Sequence, residues 1–132
     1  MAEGSSIPPS LNLRRSAQSG SKVMTAAWQV VYTESTTSSL LAYLFGGAHV
    51  NLTPMQAGDT INVRIRKILV SGGAWVNHDQ VPYTNVQPTN HPAFSIGPLF
   101  NIYGVEISMQ QTAGVLRTIE TEFYDAKRLG LA

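Results

Sequence analysis

The segment DTINVRIRKILV sets the terms for the whole chain. Ile61, Val63 and Ile65 fall on one parity, and Asn62, Arg64 and Arg66 fall on the other. A period of two belongs to an extended strand, whose successive side chains point to opposite faces of a sheet. One face of this strand is apolar and needs a second layer to cover it. The phase slips at Lys67, where an apolar residue is due and Ile68 and Val70 take the other parity. A β-bulge near Lys67 produces such a slip, and so does a strand whose far end is covered on both faces. Ser71-Gly72-Gly73 is a turn signal and AWVNHDQVPYT is the returning strand, so a hairpin is expected.

The same signal recurs along the chain. KVMTAAWQVVYTES is rich in Val, Trp and Tyr, and LLAYLFGGAHVNL follows it. A helix over Ser39 to Phe45 is conceivable, but the Gly46-Gly47 pair and the aromatic content favour a strand. NVQPTNHP is a loop, and AFSIGPLF is a short strand interrupted by Gly97-Pro98. YGVEISMQQ alternates Val105, Ile107 and Met109 against Glu106, Ser108 and Gln110, and VLRTIETEFYDA alternates Ile119, Thr121 and Phe123 against Glu120 and Glu122. The TAG between these two predicts a second hairpin. No parallel βαβ pattern and no repeat of fixed period appears. The expected fold is all-β: an antiparallel β-sandwich or jelly roll of about seven to eight strands.

The first 22 residues, MAEGSSIPPSLNLRRSAQSGSK, have a different character. They are rich in serine, contain the pair Pro8-Pro9 and offer little to a core. Such a composition does not offset the entropy of being fixed on its own, so the segment gains order by docking on something else. Ile7, Leu11 and Leu13 are spaced apolar anchors, and Pro8-Pro9 pre-sets an extended backbone that lowers the cost of ordering. Arg14 and Arg15 are suited to acidic groups on a neighbouring subunit. Two units are expected: residues 1–22 as an extended N-terminal assembly arm and residues 23–132 as the sandwich.

Charge supports that division. The first 22 residues carry Arg14, Arg15 and Lys22 against Glu3, a net of +2, while the remaining chain carries six basic and seven acidic residues. The body therefore lacks the basic footprint of a nucleic-acid-binding domain, and direct nucleic-acid binding is not expected. Charged residues are only 13% of the chain, against about 25% in an ordinary soluble domain. A polar Ser/Thr/Asn/Gln surface accounts for part of this deficit. Surface covered by other subunits accounts for it more fully, because interface cores are depleted in charge. No apolar run reaches the ~20 residues of a membrane-spanning helix, and no apolar leader opens the chain, so neither a signal peptide nor a transmembrane segment is expected.

The chemistry-bearing residues are scattered. The chain has no cysteine, which excludes disulfides, thiolate metal sites and cysteine nucleophiles. His49, His78 and His91 show no ligand spacing, so no metal or cofactor is expected. No G-x-S-x-G elbow occurs, and the serines cluster in turn-like stretches. Glu120 and Glu122 share a strand face about 7 Å apart by strand rise, which suits solvated surface charges better than a glycosidase pair. Trp75 and Tyr83, in a stretch with Asn, Asp and Gln, are the candidate ligand or interface aromatics. They give the alternative to an assembly role: a carbohydrate-binding module.

The charge-poor, cysteine-free body, as in DTINVRIRKILVSGGAW and YGVEISMQQTAGVLRTIETEF, together with the Pro/Ser-rich N-terminal arm, resembles small β-sandwich structural proteins of virions. These are the accessory capsid, turret and tail proteins of tailed bacteriophages and related viruses. The resemblance implies a non-enzymatic homo-oligomer, located in the virion, that attaches to other virion structural proteins. It carries no functional residues across.

Overall fold

The computed structural model describes residues 13–35, 43–89, 92–101 and 103–126. Among them are ten strands: β1 (Leu13–Arg15), β2 (Gly20–Val23), β3 (Gln29–Ser35), β4 (Tyr43–Asn51), β5 (Thr60–Ile68), β6 (Trp75–Thr84), β7 (Ala93–Ile96), β8 (Leu99–Asn101), β9 (Gly104–Ala113) and β10 (Thr118–Ala126). They form two antiparallel sheets. In the first, β10 and β4 are central, β1 and β2 pair with the free side of β10, and β7 and β8 pair with the free side of β4. The second runs β3-β9-β5-β6. This is the β-sandwich that the alternation predicts.

The core lies between the sheets. Ile61, Val63 and Ile65 of β5 and Val105, Ile107 and Met109 of β9 face Phe45, Ala48, Val50, Ile119 and Phe123 of the other sheet. Tyr32 sits at its centre, with ring centroids 4.9 Å from Phe45 and 5.1 Å from Phe123. Each such large apolar side chain contributes roughly 1.5–3 kcal/mol on full burial. The Tyr32 hydroxyl donates to Asp125 at 3.2 Å, which keeps its polar end satisfied inside the core.

Several sequence expectations need correction. Residues 13–23 belong to the sandwich: β1 pairs Leu13 with Ala126 and Arg15 with Tyr124, and β2 pairs Gly20 with Thr121 and Val23 with Thr118. The boundary expected after residue 22 thus falls inside a strand. Ile7, Pro8, Pro9 and Leu11 lie outside the described residues. KVMTAAWQVVYTES is two strands in different sheets, and residues 24–28 cross between them. The expected second hairpin is a crossover as well, since β9 and β10 lie in opposite sheets. Alternation tells which face of a strand is buried, and both strands bury theirs in the same core from opposite sides. The crossover is fastened by Gln111, whose side chain donates to the carbonyls of Ala113 and Val115 and accepts from the Arg117 amide.

The β5–β6 hairpin is present, and its bulge is nearly where the phase slip put it. Ile65 pairs with Asp79 and Arg66 with Asn77, so His78 of β6 is the extra residue. Against β9, β5 itself runs without a break from Ile61 to Lys67. Ile68 looks out of phase because apolar cover exists on the outer face too: a β-carbon added at Gly104 would meet both Trp75 and Ile68.

Candidate functional site

The two arginines expected to reach another subunit are bound within their own chain. Arg14 Nε lies 3.0 Å from Asp125 Oδ1. Arg15 grips Glu122 with two nitrogens, at 2.5 and 3.0 Å. This fork holds the Glu122 carboxyl below its usual range, chiefly through the Arg15 hydrogen bonds. Glu120, on the same face, accepts a hydrogen bond from Ser21. The two carboxylates are therefore surface groups that staple β1 and β2 to β10, each with a different partner.

Beside them, on β4 and β7, His49 Nδ1 lies 3.1 Å from Ser95 Oγ, and its ring meets the Tyr124 ring edge-on at 5.9 Å. Spacing could not reveal this Ser–His contact because the partners are 46 residues apart. Both residues are exposed on an open sheet face, and the nearby Glu122 is committed to Arg15. Acyl transfer needs a third group to orient the histidine, and the carboxylate nearest the pair, Glu122, is held by Arg15 instead. His78 is the bulge residue of β6, and His91 lies outside the described residues. No group of three metal-ligating side chains occurs among the described residues.

The outer face of the second sheet carries an ionic layer. Arg64 and Arg66 of β5 pair with Ser108 and Glu106 of β9. They cover these partners so fully that Glu106 is only 6% and Ser108 0% exposed. Arg66 lies 2.6 Å from Glu106. The Arg64 guanidinium sits 4.1 Å from the centre of the Trp28 ring, and Arg66 sits 6.0 Å from that of Trp75. Burial, and then the Arg66 charge, lowers the Arg64 pKa, and its Nε is buried without a hydrogen-bond partner among the described residues. This row of indole, two guanidiniums and indole was half legible: the parity of Arg64 and Arg66 gave the face, while Trp28 comes from the crossover before β3.

Trp75 and Tyr83, grouped in the sequence as candidate aromatics, are separated by the strand itself. Trp75 lies opposite Ile68 on the outer face, and Tyr83 lies opposite the buried Ile61 on the inner face. Tyr83 stacks on Phe94 at 4.5 Å across the open side of the sandwich. Burial, and secondarily Asp79, raises the Tyr83 phenol above its usual value. A cleft of about 220 Å³ opens here between β6 and β7–β8, with His78, Asp79 and Ser95 in its lining.

No family model matches the chain, and no curated protein matches it. Among solved structures it is similar to the crystal structure of the infectious bursal disease virus VP2 subviral particle, at 10% identity and a TM-score of 0.49, over 87% of this chain and 32% of that one. It is also similar to the structure of the Gx strain of infectious bursal disease virus, at 14% identity and a TM-score of 0.44, over 92% of this chain and 34% of the other. The T13 particle of the same virus gives 11% identity and a TM-score of 0.40, over 90% of this chain and 31% of the other. The chain spans about a third of the length of each of these proteins.

Proposed function

We propose that this chain is a non-enzymatic structural subunit of a virus particle, a minor capsid, decoration or tail component, that oligomerises and docks on its neighbours through its N-terminal residues. The observation that carries the reading is the anchoring of β1. Leu13–Arg15 is held at the sheet edge by its ladder with β10 and by the Arg14–Asp125 and Arg15–Glu122 pairs. Leu13 is therefore fixed at the sheet edge, and residues 1–12 are the stretch that precedes it in the sequence. They contain Ile7, Leu11 and Pro8-Pro9, the elements of an extended docking segment. Both arginines of β1 are already paired within the chain, so docking rests on apolar and backbone contacts rather than on charge.

A low charge content and several exposed valines, among them Val23, Val30, Val76 and Val81, fit a surface that neighbouring subunits cover. The virion setting rests on the sequence resemblance to small β-sandwich virion proteins. The test is electron microscopy of the purified full chain beside a chain lacking residues 1–12. Ordered rings, tubes or shells from the full chain alone support the reading, and equal behaviour of the two chains overturns it.

One feature favours carbohydrate binding as a second reading. The cleft places the stacked Tyr83–Phe94 pair beside Asp79 and His78, an apolar platform with polar groups at its rim. A glycan array with wild type, Tyr83→Ala and Trp75→Ala decides it. Glycan binding lost only with Tyr83→Ala supports the cleft, and an array without binding removes it.

A further inference from the structure

β6 is the terminal strand of its sheet, and its outer edge has no partner among the described residues. It is ten residues long and almost wholly exposed, with Val76 41% and Val81 37% accessible. We propose that β6 pairs antiparallel with β6 of a second copy of this chain about a two-fold axis between His78 and Asp79, joining two four-stranded sheets into one of eight.

The strand has a self-complementary sequence. Read outward from the His78–Asp79 step, the strand is matched with itself: His78 against Asp79, Asn77 against Gln80, Val76 against Val81 and Trp75 against Pro82. A two-fold interface sets residue i of one copy against j of the other, and j against i, so each match is made twice. An imidazole N–H meets a carboxylate, amide meets amide and valine meets valine, which are favourable cross-strand pairs.

The bulge makes this register sterically consistent. A two-fold axis normal to the sheet leaves every side chain on its own face, so paired residues must share a face within the monomer. In a regular strand Val76 and Val81, five residues apart, would point to opposite faces. Here Val76 lies opposite Lys67 and Val81 opposite Val63, which share one face of β5. Asn77 and Gln80 lie opposite Arg66 and Arg64 on the other face, and Trp75 and Pro82 lie opposite Ile68 and Asn62 on that same face. The extra residue His78 restores the match, and in the pair the two bulges face each other with no residue left over.

Bulges, prolines and inward-facing charges ordinarily guard an edge against pairing. In β6 they select one pairing: the bulge admits registers that cross it symmetrically, Asp79, whose Oδ1 already accepts from the Gln80 amide, favours a donor opposite its other oxygen, and Pro82, without an N–H, ends the ladder. The interface is separate from residues 1–12, so it stands or falls independently of the docking segment.

Sedimentation velocity over a concentration series, combined with disulfide trapping, tests it on the full chain, which has no cysteine of its own. Asn77→Cys together with Gln80→Cys, set against each other in this register, should give a reductant-sensitive covalent dimer, and either alone should not. Paired positions in an antiparallel ladder have Cα atoms within disulfide reach. His78→Asp, which sets carboxylate against carboxylate, should weaken dimerisation roughly tenfold or more. The exchanged pair His78→Asp with Asp79→His should restore it. Because β6 is exposed, circular dichroism should show all these variants folded. A chain that stays monomeric on the β6 edge, with no covalent dimer from the cysteine pair, overturns the proposal. So does a dimer indifferent to His78→Asp, or one trapped equally well by a single cysteine.

Discussion

Arg117 donates two hydrogen bonds to the carboxylate of Asp59, from Nε at 2.7 Å and from Nη2 at 3.3 Å, across 58 residues of chain. The same carboxylate accepts from the Gln56 amide, and the Asp59 carbonyl accepts from the Asn85 amide. One buried aspartate thus fastens the turn before β5, the loop after β6 and the β9–β10 crossover. Hydrogen bonding from Arg117 holds its carboxyl below the usual carboxylate value. A depressed carboxyl stabilises the fold above the unfolded-state value of about 3.9 and loses that contribution as pH falls through the folded value. Thermal melts should show wild type losing stability from about pH 5 downward. Asp59→Asn should melt lower at pH 7 and vary less with pH over that acid range. Parallel pH profiles for the two proteins would contradict this role.

Gly114 has φ +88° and packs directly against Asp59, so an added β-carbon would collide with the carboxylate. Gly114→Ala should destabilise the protein by about 1–3 kcal/mol from the backbone conformation alone, with more from the collision. A urea titration measures it. A glycine of similar conformation in open space, Gly72 at φ +73°, is the control for the backbone contribution.

Phe123 is fully buried against Tyr32, and Phe123→Ala should cost about 3–5 kcal/mol in a denaturant titration. Thr118→Ala, on the same strand but exposed, should change stability by no more than about 0.5 kcal/mol. Similar losses at both sites would contradict the placement of the core.

The extent of the sandwich also fixes where the N-terminus can be cut. Removing residues 1–12 leaves β1 and β2 in place, so the truncated chain should still fold, its melting temperature lowered only by whatever subunit contacts are lost. Removing residues 1–22 takes away β1 and most of β2, strips Asp125 and Glu122 of their arginines and bares the edge of β10. That chain should melt lower and aggregate, because an uncovered strand edge pairs with other chains. Equal melting of the two truncations would contradict the placement of β1 and β2.

What could be read from the sequence was whatever depends on neighbours along the chain. The alternation of Ile61, Val63 and Ile65 gave a half-buried strand, the glycines at 72 and 73 gave its hairpin, and the slip at Lys67 flagged a bulge that lies one pairing away. The crossover at Gly114 was read as a hairpin because period two names the buried face and is silent about which sheet supplies it. Arg14 and Arg15 were read as reaching outward because their partners, Asp125 and Glu122, lie more than 100 residues downstream. Trp75 and Tyr83 looked like one surface, and the bulge at His78 lies between them on a strand whose two faces they divide.

In the proposed assembly, residues 1–12 join one subunit to the next. Light scattering coupled to size exclusion, on the full chain and on the chain lacking residues 1–12 at equal concentration, tests it most directly. The full chain should give an oligomer larger than a dimer, and the truncated one a folded dimer or monomer. Equal masses for the two chains would contradict it.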